Sequence, residues 1–275
     1  MYESFWNLKG RPFGVGCDTQ LYYPSETHQA ALLKLRYAVE NRIGAAMLVA
    51  ESGLGKTLLV RSPFEQLGES FQPLVHLRFP WLPARDMVAY LSESIGGEEL
   101  LPAPAPFYRQ VAHLQEALAA NTETEHHAVA VIDEAHVITS SQVLECLRLL
   151  LNFETDGRPD WTILLVGQSP LLTAIEQHPG LDDRLAVKTM LRRLASDETA
   201  AYIAHRLRAV GGESTIFDDR AIEAVHRASL GVPRRINRLC DLAMLVAFAE
   251  DDPIVRVEHV ESAESELAVT QGELV

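Results

Sequence analysis

The sequence of 275 residues predicts an α/β domain built on a parallel sheet, followed by a smaller all-helical domain. Three observations predict it. Before Leu194, short runs that are apolar on both faces alternate with amphipathic helical periods, as in parallel strands joined by crossover helices. A glycine-containing loop joins the first of these runs to the first of these helices. After Leu194 the helical periods continue while strand candidates fade.

The strand candidates are "GAAMLVA" (Gly44–Ala50), "PLVHLRF" (Pro73–Phe79), "AVAVID" (Ala128–Asp133) and "WTILLVG" (Trp161–Gly167). Helices are expected from Gly55 to about Gly68, Ala84 to Ile95, Phe107 to Asn121 and Ser140 to Phe153. "LPAPAPF" (Leu101–Phe107) reads as a proline-rich loop, too short for a domain linker. Beyond Leu194, "SDETAAYIAHRLRAVGG" is expected to start at a capping box of Ser196 with Thr199 and to stop at Gly211-Gly212. "DDRAIEAVHRAS" and "VPRRINRLCDLAMLVAFAE" follow as helices, the second with Pro233 in its first turn. Only "PIVRV" interrupts them as a short strand candidate. The domains expected are 1–193, including an N-terminal segment 1–43, then a helical domain 194–262 and an acidic tail 263–275.

Composition narrows the function class. Hydrophobic content of 47% and charged content of 23% fit a soluble globular chain. Three scattered cysteines (Cys17, Cys146, Cys240) argue against a disulfide framework or zinc ribbon and fit a reducing compartment. The start "MYESFWNLKGRPF" lacks the pattern of a signal peptide, and no apolar run approaches the ~20 residues of a membrane helix. A cytoplasmic location with no transmembrane segment is expected. The net charge of −14 opposes bulk electrostatic binding to nucleic acid. Half of it lies from Glu250 onward, where eight acids face the single Arg256, so a local basic face around "RRINR" (Arg234–Arg238) stays open.

"AESGLGKT" (Ala50–Thr57) is a phosphate-binding loop, G-x-x-x-x-G-K-[ST], with Ala50 where the first glycine usually stands. Gly53 and Gly55 let backbone N–H groups curl around phosphate oxygens. Lys56 supplies charge to the β- and γ-phosphates and Thr57 a hydroxyl to Mg²⁺. Ser52, Leu54 and Leu58 complete the stretch around the phosphates, with a helix N-terminus behind it. The methyl of Ala50 removes no ligand; its cost turns on whether that position needs positive φ.

"VAVIDEAH" (Val129–His136) ends a strand in Asp-Glu, the Walker B pattern. Asp133 is expected to hold Mg²⁺ and Glu134 to polarise the attacking water as general base. The letters D-E-A-H also occur in helicases, but the remaining sequence has no room for a second RecA-like domain with its own motifs. Gln168, at the end of the last strand candidate, is placed to report phosphate state. Cationic stabilisation of the transferred phosphoryl group falls to Arg184, in "LDDRLAV", and to Arg234, in "GVPRRIN".

With these residues in place the chain resembles AAA+ ATPases of the ExeA/GspA type, from bacterial general secretion. It is also similar to transposition ATPases of the TniB/TnsC kind. The resemblance covers roughly residues 1 to 260, most specifically "LLVGQSPLL", "LDDRLAVKTMLRRLASDETAAYIAHRLRAVGG" and "GVPRRINRLCDLAM". It implies a P-loop NTPase fold, a three-layer αβα core with a helical lid. It implies Gln168 as sensor 1, Arg234 as sensor 2 and Arg184 as the arginine given to a neighbouring subunit of a homo-oligomer. It implies base contacts from Phe13, Tyr23 and Pro24. Where the family usually reads G-E-x-G-x-G-K-T, this chain has Ala50 and Ser52. Secretion-type relatives often continue into a membrane span and a peptidoglycan-binding domain; these 275 residues hold neither, which points the expected task away from the cell wall. The function expected is oligomer-dependent ATP hydrolysis with Mg²⁺, coupling nucleotide state to a protein or DNA partner in the manner of secretion or envelope-assembly ATPases. A DNA-associated regulatory ATPase and a non-hydrolysing nucleotide switch are the alternatives.

Overall fold

The structure is a computed structural model and describes residues 1–14, 16, 21–61, 67–96 and 105–272. It divides into two compact units: Thr27–Ser52 with Leu59–Leu191, and Met1–Glu26 with Gly53–Leu58 and Arg192–Val275.

The first unit is a parallel sheet. Helix α1 (Glu26–Glu40) buries Ala31, Leu35, Ala38 and Val39 at helical spacing and leads into β1 (Ala45–Val49). Helix α2 (Lys56–Arg61) follows the glycine loop; the rest of the helix expected to run to Gly68 lies in part outside the described residues. Then come β2 (Leu74–Leu77), α3 (Ala84–Gly96), α4 (Phe107–Glu123), β3 (Ala128–Ile132) and α5 (Ser141–Leu150). A small antiparallel hairpin, β4 (Glu154–Thr155) and β5 (Arg158–Pro159), precedes β6 (Trp161–Gly167). Short helices α6 (Pro170–Glu176) and α7 (Pro179–Asp182) lead to β7 (Leu185–Met190). Of "LPAPAPF", residues 101–104 lie outside the described residues.

The strand order is β2-β3-β6-β1-β7, all parallel. Every residue of β1, β3 and β6 is buried, as central strands covered on both faces must be. The edge strand β7 alternates instead, with Lys188 and Met190 outward, which is why no continuous apolar run marks it in the sequence. Met87, Leu91, Leu114, Leu118, Leu144 and Leu147 carry the helices into the core around the strands.

His127 closes the start of β3 and is 0% exposed. Its Nε2 donates to Thr162 Oγ1 at 2.8 Å, because that hydroxyl already donates to the Ile43 carbonyl at 2.7 Å. Burial, with a smaller push from the Arg42 charge, lowers its pKa from 6.5 to about 4. Between these values the unfolded chain binds a proton that the folded protein refuses, so stability falls as pH falls. From pH 7 to pH 5 the loss from this group is about 2 kcal/mol, to be read as the difference in urea unfolding between the protein and its His127→Gln variant. An equal pH dependence in both would refute it.

The second unit is helical: α8 (Ser196–Ala209), α9 (Asp219–Ser229), α10 (Pro233–Ala249) and α11 (Val257–Gly272). Helix α8 starts one residue earlier than the expected capping box. Ala195 is its N-cap and has no side-chain acceptor; Glu198 Oε2 takes the Ala195 N–H at 3.1 Å. Gly211, at φ +83°, ends it as expected. Asp218 caps α9 by accepting from the Ala221 N–H at 2.7 Å. Helix α10 buries Ile236, Leu239, Cys240, Ala243, Met244 and Ala247, a stripe of helical period. "PIVRV" forms only an isolated bridge, Phe217 to Val255. Residues 263–272, expected as a tail, continue α11, with Ala263 in the core.

The N-terminal segment, assigned by sequence to the nucleotide-binding domain, contributes Tyr2, Leu8, Phe13 and Leu21 to the core of this helical unit. Arg206, itself buried, ties it down by donating to the Pro12 carbonyl at 2.6 Å. Cys146 and Cys240 are free thiols. Among the described residues no helix is long and apolar enough to cross a membrane.

Candidate nucleotide site

Parallel strands end on one edge of their sheet, where open α/β folds bind ligands. In the sheet unit β1, β6 and β3 lie side by side, with Val49 level with Gly167 and Ile132 level with Leu165. The chain therefore leaves the sheet on one edge at Ala50, at Gln168 and at Asp133.

Ala50 continues the ladder by donating its N–H to the Gly167 carbonyl at 3.0 Å. It is not among the positive-φ residues, so nothing in the backbone here calls for glycine. Ala50→Gly should leave nucleotide affinity within about 2-fold and lower stability by at most about 1 kcal/mol. A titration with a fluorescent ATP analogue checks this; a gain of tenfold or more would mean that the methyl does obstruct the loop.

Asp133, 3% exposed, has its N–H on the Leu77 carbonyl at 2.9 Å. Its Oδ1 accepts from the Glu134 N–H at 2.9 Å, and its Oδ2 lies 3.4 Å from His76 Nε2. Glu134 then adopts a left-handed conformation, φ 51° and ψ 32°, unusual for a residue other than glycine, and opens the 3-10 turn Ala135–Val137. That turn brings His136 back over the strand ends. His136 Nδ1 lies 3.3 Å from Glu134 Oε2, and Gln168 Nε2 is 3.0 Å from His136 Nε2. The two candidate catalytic residues Glu134 and Gln168 are thus joined through His136, a residue to which the sequence alone assigns no role. The signal was the last letter of D-E-A-H; its partner stands 32 positions away. His76 is the second residue sequence reasoning missed.

Arg184 is exposed at the foot of β7 and donates to Asn152 Oδ1 at 2.6 Å, while Asp182 pairs with Lys188.

In the helical unit the loop Gly53–Leu58 has both glycines left-handed, Gly53 at φ 85° and Gly55 at φ 94°. Lys56, 5% exposed, starts α2, with Thr57 half-buried beside it, while Ser52 is exposed. The Gly53 carbonyl accepts from the Arg234 N–H at 3.2 Å. A Cβ on Gly53 would lie 2.9 Å from Arg234 Cβ and 3.1 Å from Val232 Cγ1. The glycine loop is therefore seated on the first turn of α10, the segment that carries Arg234. Tyr23 packs edge-on to Tyr202 and His205, with ring centroids 5.7 and 5.6 Å away, and Pro24 beside it is exposed. Phe13 is a core side chain, 1% exposed and edge-on to Phe217 at 5.9 Å, with no face left for a base.

The fold and these motifs have known counterparts. Residues 40–175 match the family described as AAA domain. General secretion pathway protein A of Aeromonas hydrophila is 32% identical over 253 residues, covering 90% of this chain and 45% of that protein; the chain thus spans about half the length of this relative. Among solved structures, the Aeropyrum pernix ORC2 protein in ADPNP and ADP complexes aligns with a TM-score of 0.69 at 18% identity, over 93% of this chain and 71% of that one. Cdc6p from Pyrobaculum aerophilum aligns with a TM-score of 0.70 at 16% identity, over 90% of this chain and 71% of that one. The chain has the AAA+ fold: its match to the AAA domain lies at residues 40–175, and its similarity to general secretion pathway protein A covers 90% of the chain.

Proposed function

We propose that the protein binds ATP with Mg²⁺ and hydrolyses it, that turnover depends on assembly of several copies, and that nucleotide state is passed to a protein partner of a secretion or envelope-assembly system. The observation that carries this reading is the pair of left-handed glycines leading into buried Lys56. Such a loop turns successive N–H groups inward as an anion cradle, and Lys56 adds a full charge for the β- and γ-phosphates. Tyr23 and Pro24 border the base.

Mg²⁺, when bound, would supply positive charge that offsets the negative charge of the phosphates. Mg²⁺ commonly keeps water and substrate phosphate oxygens in its shell and takes only one or two ligands from the protein. Thr57 and Asp133 are the residues proposed to contact it. Glu134 takes a proton from water as the water oxygen attacks the γ-phosphorus and the bond to the bridging oxygen breaks. Gln168 positions the water or the γ-phosphate. Arg234, and Arg184 from a neighbouring copy, stabilise the developing charge.

The test is phosphate release with ATP and Mg²⁺ across a range of protein concentrations, beside a Lys56→Ala control. Specific activity that rises with concentration and vanishes in the control is expected. No release at any concentration, with binding intact, would leave the nucleotide-switch reading in its place. A DNA-associated role has one observation in its favour, the exposed Arg234, Arg235 and Arg238 on α10. The net charge of −14 opposes it, and gel shifts with long duplex DNA at low salt, with and without ATP, decide it.

A further inference from the structure

We propose that His136 is a positioning residue that couples Gln168 to Glu134, so that the state of the phosphate sensor sets the orientation of the base. The inference rests on the ATP-hydrolysis reading for its consequence, but its geometry stands within the sheet unit alone.

The geometry begins with Gly167. A Cβ there would meet the His136 backbone nitrogen at 3.0 Å and Leu171 Cδ2 at 2.9 Å, so only glycine lets the 3-10 turn come this close to the end of β6. The left-handed backbone of Glu134 and fully buried Ala135 hold the turn in place. His136 then lies between Gln168 and Glu134. The Gln168 side-chain amide donates to Nε2 across 3.0 Å, which makes Nε2 the acceptor and leaves the ring proton on Nδ1. Nδ1 is sealed from solvent and has no partner of good hydrogen-bond geometry. It lies 3.3 Å from Glu134 Oε2, on a carboxylate that is 42% exposed and can swing to meet it. A buried N–H left unmade is costly, so the Glu134 carboxylate is drawn toward His136, and its second oxygen is left to face water.

The chain then works in one direction. While Gln168 donates to His136, Nδ1 keeps its proton and the base is held. When Gln168 turns its amide to another acceptor, Nε2 loses its donor, the ring is free to take the other tautomer, and Glu134 loses its guide. Such outer partners of a reactive group change its output by about 10–100-fold when removed.

Two readouts test this. The first is the tautomer of His136 from long-range ¹H–¹⁵N correlation, its signals identified among the ten histidines by their loss in His136→Gln. The expected state is Nδ1–H in the wild-type protein, shifting toward Nε2–H in Gln168→Leu. An Nε2–H ring, or a ring unaffected by Gln168→Leu, overturns the proposal. The second is turnover. His136→Ala should lower kcat by about 10–100-fold with nucleotide Kd and thermal midpoint unchanged. His136→Gln, whose carboxamide can both accept and donate, should recover most of the loss. In a Glu134→Gln background, His136→Ala should cost nothing further, since the side chain it positions can no longer take a proton. Wild-type kcat in His136→Ala, or a loss of affinity together with kcat, overturns it. If the wild-type protein releases no phosphate, the hydrolysis reading fails, and the tautomer measurement alone decides the coupling.

Discussion

Under the proposed ATP hydrolysis, Glu134→Gln is expected to lower phosphate release by at least about 100-fold and to leave nucleotide affinity near the wild-type value. The substitution changes one oxygen to an amide nitrogen and keeps the side chain's length. Its remaining oxygen can still accept from His136 Nδ1, and its backbone still makes the left-handed turn that follows Asp133. What it loses is the capacity to take a proton. Because Glu134 is proposed to act on water rather than on phosphate or metal, binding is spared, and the loss falls on kcat. Single-turnover phosphate release beside a fluorescent-nucleotide titration separates the two. Normal hydrolysis in the variant would remove Glu134 from the mechanism; a collapse of affinity would place it among the binding residues instead.

Gly53→Ala weakens both the fold and the nucleotide site, by about 3 kcal/mol of stability in all. Two terms add. At φ 85° an L-residue pays about 1–2 kcal/mol for the left-handed backbone. The new Cβ also presses into Arg234 Cβ at 2.9 Å and Val232 Cγ1 at 3.1 Å, atoms close to the backbone of a packed helix end that cannot swing aside. Relief requires the loop to part from the first turn of α10, which breaks the bond from the Arg234 N–H to the Gly53 carbonyl and moves Arg234 itself. Gly157→Ala is the control. Its φ of 73° carries the same backbone term, but its Cβ would point into open space. Urea unfolding should show about 1 kcal/mol for Gly157→Ala and a clearly larger loss for Gly53→Ala, with ATP binding lost only in the latter. Equal effects in the two variants would mean that the contact with α10 contributes nothing.

The strands buried on both faces are legible from the sequence almost to the residue, because a central parallel strand is apolar on both sides apart from a side chain whose hydrogen bonds are made, as at Thr162. The glycine loop is legible because Gly53 and Gly55 stand at a fixed short spacing before Lys56, and both take a positive φ that glycine adopts most readily. The edge strand β7 is not: exposed Lys188 and buried Thr189 interrupt its apolar run, and one of its faces needs no cover. The hairpin strands β4 and β5, two residues each, are too short to carry a period. An acidic tail is expected at 263–275, yet Ala263 docks in the core and the helix runs on through the described residues to Gly272.

The sequence alone thus determined the fold class, and it supplied the glycine loop, the strand-end acids and the arginines as candidates, because each depends on residue type at short spacing. Only the tertiary structure decided three further matters. Ala50 needs no positive φ, which depends on where β1 ends against β6. Phe13 is core rather than base contact, which depends on Phe217. His136 stands between Gln168 and Glu134 because β3 and β6 run parallel in register and Gly167 lets the turn approach. Such meetings of distant residues are set by the sheet's register, and no local pattern in the chain encodes them.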